Sequence, residues 1–210
     1  MARMNEAQCR QCRRAGQKLF LKGDKCLGAK CTVIKRNYPP GQHGVSGSRK
    51  ASAYAIALKE KQKVKRMYGV LERQFRNYYQ SADRKEGVTG TILLQFLEKR
   101  LDNVVYRLGF GSSRRLARQL VNHGHLTVNG KKVDIPSYQV KKGDVIEVSP
   151  HSAKHTYFTD IAKDMLEKAE VPGWLKIDKK KMVGEVAEEP QREDVDSSIQ
   201  ESLIVELYSK

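Results

Sequence analysis

The stretch from Thr91 to Val148 constrains this chain most. Inside it Ser113–His123 reads as a helix with a one-sided arginine cluster. Leu116, Leu120 and Val121 recur at helical spacing and predict a buried stripe. Arg114, Arg115 and Arg118 fall on the other face, and Asn122 continues it one turn on. Ser112 or Ser113 can cap the start, and Gly124 suits the left-handed residue that ends a helix. The arrangement is electrostatically unfavourable by itself. Like charges one turn apart cost roughly 0.2–0.5 kcal/mol, and these stand where the helix dipole is already positive. No carboxylate lies within the helix. An external polyanion removes the conflict, because arginine's planar fork and the free N-terminal amides both suit phosphate. A solvated arginine face is the plainer reading.

The elements after the helix favour the polyanion. Leu126–Val128 reads as a short strand, Asn129-Gly130 as a two-residue hairpin turn, and Val133–Ile135 as the returning strand. Lys131 and Lys132 come directly after the turn and would stand near the helix start if the hairpin packs back on it. Gly143-Asp144 then turns into Val145–Val148.

Charge is unevenly spread over the 210 residues. Residues 1–85 carry a net +16, residues 86–184 a net +6, and residues 185–210 a net −6. An excess of this size suits a nucleic acid or an anionic surface. No apolar run approaches the roughly 18 residues of a membrane span, and MARMNEAQCRQC lacks the apolar core of a secretory signal. The expectation is therefore a cytoplasmic chain with no membrane partner.

All four cysteines lie early: Cys9, Cys12, Cys26 and Cys31, as C-x2-C, a 13-residue spacer and C-x4-C. Two close pairs so joined predict one structural zinc ion held by four thiolates. Surrounding cations such as Arg10, Arg13, Lys22 and Lys25 favour deprotonated sulfur. Leu19, Phe20 and Leu21 are too few to fold the segment, whereas zinc contributes about 10–16 kcal/mol in finger peptides. Two disulfides, which need an oxidising compartment, and free structural cysteines are the other readings.

Lys35–Gly47, KRNYPPGQHGVSG, combines stiff prolines with turn-permitting glycines. Lys35, Arg36, Tyr38 and His43 offer charge, a stacking ring and hydrogen bonds of the kind irregular RNA accepts. A helix is predicted from about Ser52 to Met67, with Tyr54, Ala57, Leu58, Lys61, Val64 and Tyr68 on one face and Lys59, Lys63 and Arg66 elsewhere. A second carries Leu71, Phe75, Tyr78, Tyr79 and Ala82 inward, with Arg73 and Arg76 outward. Past Val148, Phe158–Ala169 reads as an amphipathic helix, and Met182–Val186 and Leu203–Leu207 as strands that could pair. No catalytic constellation is present. There is no H-E-x-x-H, G-x-S-x-G or phosphate-loop motif, and His123-Gly-His125 reads as closing the arginine helix, near enough to touch RNA backbone. No small-molecule substrate is implied.

LDNVVYRLGF (Leu101–Phe110), SRRLARQLVNHGH (Ser113–His125), Val128–Gly130, IPSYQVKKGD (Ile135–Asp144), YPPGQHG and YGVLERQFRNYY resemble the family of bacterial small-subunit (30S) ribosomal protein S4, in its zinc-binding form. The resemblance spans roughly residues 9 to 150. It implies an α+β fold: an N-terminal zinc knot with a basic loop over 1–44, a helical domain over 45–90, an inserted S4-type RNA-binding module over 91–160, and a segment over 161–210 that returns to the helical domain. It implies a structural protein, not an enzyme, that binds 16S rRNA early in small-subunit assembly. It also implies a place near where the messenger enters, an effect on accuracy through neighbouring small-subunit protein five, and, in some members, binding to its own mRNA. Carried over are zinc on Cys9, Cys12, Cys26 and Cys31, and RNA contacts at Arg114, Arg115, Arg118, Lys131 and Lys132. Charge and placement add Lys35, Arg36, His43, Arg49, Lys50, Lys59, Lys63, Arg66, Arg73 and Arg76. The competing readings are an RNA-modifying enzyme that carries the same module, for which neither flank supplies a catalytic domain, and a zinc-dependent DNA-binding regulator.

Overall fold

In the computed structural model, residues 6–46 and 50–209 are described; the predicted contact Arg49 lies outside them. The chain divides into two units, one of residues up to 93 together with those from 197 on, the other of residues 94–196.

In the first unit, α1 (Gln8–Ala15) ends at Gly16, whose φ of 75° lets its N–H reach the Cys12 and Arg13 carbonyls. Two one-turn helices come next, α2 (Asp24–Leu27) and α3 (Thr32–Lys35). The longer α4 (Ala53–Met67) starts where the Ser52 hydroxyl accepts from the Ala55 N–H. Ala57, Val64, Met67 and Tyr68 bury one face of it, and Phe75, Tyr79 and Ala82 of α5 (Glu72–Asp83) supply the other side of the core. Tyr54, expected on the buried face, is 65% exposed, as is the whole first turn of α4, where residues 53–56 all face solvent. The last segment is helical, not the predicted strand 203–207. It forms α10 (Glu201–Ser209), which lies along α4. Ile204 and Tyr208 stand one turn apart, so helix geometry sends both inward. Ile204 is fully buried and Tyr208 stacks on Tyr79 at 4.6 Å.

The second unit begins within α6 (Thr89–Glu98) and continues through α7 (Leu101–Arg107) and α8 (Arg114–Asn122). Its sheet has five antiparallel strands among the described residues: β1 (Leu126–Val128), β2 (Lys131–Lys132), β3 (Val145–Val148), β4 (Leu175–Asp178) and β5 (Val183–Val186), in the order β2-β1-β3-β5-β4. The hairpin turns at Asn129 (φ 51°) and Gly130 (φ 72°), the left-handed pair that matches strand twist. The returning strand is Lys131–Lys132 itself, two residues before the predicted Val133–Ile135. A short 3-10 turn (Ser152–Lys154), a π-helical turn (Tyr157–Ile161) and α9 (Ala162–Lys168) cover the sheet. Val104, Val105, Leu108, Phe110, Val121, Leu126, Ile146, Phe158 and Trp174 share one core. Residues 161–196 belong here, because β5 pairs with β3 and β4 with β5. The expected return to the helical domain therefore starts at residue 197 and not at 161. No helix among the described residues is long and apolar enough to cross a membrane.

Candidate nucleic-acid interface

Helix α8 forms as its residues dictate. The Ser113 hydroxyl accepts from the Leu116 N–H at 3.3 Å, and Gly124 closes the far end at φ 68°. Ala117, Leu120 and Val121 are buried, whereas Leu116 is half-exposed. Gly111 lets the preceding loop touch this helix, since a Cβ there would stand 2.9 Å from the Ala117 nitrogen.

The three arginines of α8 have different surroundings, which corrects the expectation that all three await a polyanion. Arg118 donates to Asp102 of α7 at 3.1 Å. Asp102 is itself buried and holds Arg100, which is fully buried, at 2.7 and 3.0 Å. Arg114 donates to Asn103 at 2.7 Å and lies 4.7 Å over the Tyr106 ring. Asn103 in turn donates to Glu98, which also receives Arg107 at 2.7 Å. Arg115 is exposed. It shares a surface with Gln119 and Asn122, also exposed, at the i, i+4, i+7 spacing of one helix face. The LDN of residues 101–103 is the feature that sequence reasoning misses: a buried Asp-Asn pair that anchors two of the arginines. Its signal is an acid and an amide directly before the apolar pair Val104 and Val105 in a short helix. Lys131 and Lys132 are exposed on β2. Lys132 crosses the backbone of Gly124, at the end of α8 and not near its start.

In the first unit Lys35, Arg36, His43, Lys50, Lys59, Arg73 and Arg76 are exposed. Lys63 is not. It is buried, paired with Glu60 at 2.5 Å, and donates to the Ser198 carbonyl at 2.6 Å. Its charge is consumed in seating the C-terminal segment, so it is withdrawn from the RNA contacts. Lys61, on the buried face, reaches Glu72 at 2.6 Å. Burial pushes the Glu72 carboxyl up, yet hydrogen bonds from Lys61, Lys65 and Tyr208 outweigh it and hold it at about 2. The YPPG loop is tied to α1 by Arg13, which donates to the Tyr38 and Pro39 carbonyls and stacks on Tyr38 at 4.6 Å. Tyr38 therefore spends its ring on Arg13. Beside this loop Arg66 lines a recess of about 310 Å³ with Glu6, Arg10, Gln11, Arg14 and Pro40. Its Nε is buried without a hydrogen-bond partner.

Cys9, Cys12, Cys26 and Cys31 are free thiols around one small pocket, with Lys22 and Lys25 on its wall. The Lys22 N–H donates to Cys26 Sγ at 3.3 Å. Burial pushes the Cys12 thiol up, and the three other cysteines add to the effect. The donor set is of the kind zinc takes. As they stand, though, no three His, Cys, Asp or Glu side chains among the described residues form a group that could hold a metal ion.

Known proteins share this chain's sequence along its whole length. The family model described as "Ribosomal protein S4/S9 N-terminal domain" matches residues 3–98, and that of the S4 domain matches residues 99–146. The chain is 58% identical over its whole length, and that of the relative, to small ribosomal subunit protein uS4A of Alkaliphilus oremlandii. The corresponding protein of Syntrophomonas wolfei is 54% identical and that of Clostridium botulinum 56%, each over the full length of both chains. Two adjoining family matches and full-length identities of this size leave one assignment: the chain belongs to the uS4 family of small ribosomal subunit proteins.

Proposed function

We propose that this chain binds 16S rRNA directly through exposed cations on each of its two units, and that it does so early, as an organiser of small-subunit assembly. It is a structural, rRNA-binding protein of the small ribosomal subunit in the cytoplasm, not an enzyme. One observation carries the finer reading. In a chain of net charge +16, Arg115, Lys131, Lys132, Lys59, Arg73 and Arg76 stand exposed while the buried cations are matched by carboxylates. Exposed guanidinium and ammonium groups suit backbone phosphates, and recognition would rest on RNA shape and 2′-hydroxyls more than on base edges. The half-buried Arg66, facing a recess with Arg10 and Arg14, is a further candidate contact. Contact with small-subunit protein five, with an effect on accuracy, and binding to its own mRNA belong to this proposal as further partners.

The proposal includes one structural zinc ion on Cys9, Cys12, Cys26 and Cys31. Four sulfurs lining one pocket support it, and the nearby lysines would offset the thiolate charge. The sulfurs would have to draw together as the ion binds, so metal uptake and ordering of this segment would be one event.

The test is binding to a structured 16S rRNA fragment, duplex DNA and transfer RNA at several salt concentrations. The ribosomal fragment should bind tightest, with affinity falling steeply as salt rises through counterion release. Equal affinity for all three would defeat the reading.

A further inference from the structure

Four of the chain's five histidines meet at one corner of the second unit. His123 comes directly after the last turn of α8, His125 precedes β1, and His151 and His155 flank the 3-10 turn. Ring centroids are 5.9 Å apart for His123 and His125, 5.8 Å for His125 and His155, and 5.7 Å for His155 and His151. His125 Nδ1 shares a 2.9 Å hydrogen bond with Ser152 Oγ, and Phe158 lies against the ring of His125 at 5.9 Å. From β2, Lys132 reaches over Gly124 into the same corner. The carboxylates on the elements around it are Glu147 of β3 and Asp160 of the π turn, and among the described residues neither forms an ion pair with any of these groups. The charged and titratable groups that act on His125 are all cations or would-be cations. Burial first, then His123, His155, Lys132 and His151, push its imidazole below the ordinary histidine value.

The corner repeats the electrostatic problem of an arginine cluster, in groups that can drop their protons. Burial and these neighbours disfavour the charged form of His125. An anion placed among them would reverse the sign and draw protons in, since an imidazolium offers two N–H donors. The exposed face of α8, through Arg115, Gln119 and Asn122, leads directly to His123. A strand of RNA lying on that face would carry a phosphate to this corner.

We propose that His123, His125, His151 and His155, with Lys132, form a binding site for an RNA backbone phosphate that takes up protons as the phosphate enters. The site rests on the reading of this chain as an RNA-binding protein. Linkage gives the sign. Binding raises the imidazole pKa values, so the complex strengthens as pH falls toward the histidine range, by about tenfold per pH unit for each proton taken up.

Titration calorimetry tests this with the full chain and a structured 16S rRNA fragment near pH 6.5, in two buffers of different ionisation enthalpy. The expected result is net uptake of about one proton or more per complex. His151→Gln with His155→Gln should at least halve that uptake. Binding without uptake, or equal uptake in the double variant, overturns the site and leaves the RNA reading standing. Failure to bind this RNA at any pH overturns both. If the double variant does not fold, the imidazole C–H resonances of the unaltered chain decide. Titration midpoints that move to higher pH with RNA support the site, and unmoved midpoints overturn it.

Discussion

Replacing Asp102 by alanine should damage the second unit far more than removing any exposed arginine. Asp102 is 3% exposed and accepts from the fully buried Arg100 at 3.0 and 2.7 Å and from Arg118 at 3.1 Å. Without the carboxylate, a fully buried guanidinium loses its two-point ion pair. Breaking a buried pair from one side costs about 3–5 kcal/mol. Arg118→Gln removes one charge-assisted bond but leaves the Arg100–Asp102 pair neutral, so its cost should be nearer about 1.5 kcal/mol. Arg115→Gln alters an exposed side chain and should stay within about 0.5 kcal/mol of the unaltered chain. The chain's single tryptophan, Trp174, is 2% exposed in the same core, so its fluorescence during urea unfolding reports this unit. For a unit of this size about 4–8 °C of melting temperature goes with each kcal/mol. Asp102→Ala should therefore lower the melting temperature by roughly 12–40 °C. Replacing both members of the buried pair, Arg100→Met with Asp102→Leu, should be milder than Asp102→Ala alone, because the fully buried guanidinium goes with its carboxylate and only Arg118, nearer the surface, loses a bond. A loss under about 1 kcal/mol for Asp102→Ala, or an Arg115 variant just as damaged, would refute the reasoning.

Arg115→Glu should weaken binding to a 16S rRNA fragment at fixed salt and lower the salt slope by about 0.7–0.9, with the fold intact by circular dichroism; unchanged affinity in a filter assay would remove Arg115 from the interface. Elemental analysis of the purified chain should find one zinc per molecule, and Cys26→Ser should lose it; a metal-free chain with an ordered N-terminal segment would rule the ion out. Glu72, held at about 2 against an ordinary 4.5, contributes stability that is fully present above pH 4.5 and lost as pH falls toward 2. Urea midpoints of the first unit should drop across that window, and Glu72→Gln should flatten the drop; an equal drop in the variant would mean that other carboxylates govern it.

Much of the arginine helix is legible in the residues alone, because caps, period and turns act over a few positions. Ser113 and Gly124 bound α8 as their chemistry demands, and Asn129-Gly130 turns the hairpin with both residues at positive φ. The four cysteines line one pocket, but among the described residues no three ligand side chains form a group that could hold a metal ion. The C-terminal segment reads as a strand but folds as a helix, because a short apolar run such as Leu203–Leu207 fits either period until its partner is known. Here the segment lies along α4, and helical spacing buries Ile204 one turn before Tyr208, which stacks on Tyr79 of α5.

Sequence by itself therefore determined the kind of partner this protein has, since an uncompensated charge of +16 and a one-sided cationic helix call for a polyanion whatever the fold. Which cations remain available was decided in three dimensions. Lys63 is taken by Glu60 and by a carbonyl 135 positions along the chain, and Arg118 by an aspartate on the neighbouring helix. The gathering of His123, His125, His151 and His155 likewise has no counterpart in their spacing. Periodicity assigns a side chain to a face, but electrostatic pairing depends on which faces meet, and only packing brings distant residues within a few ångströms.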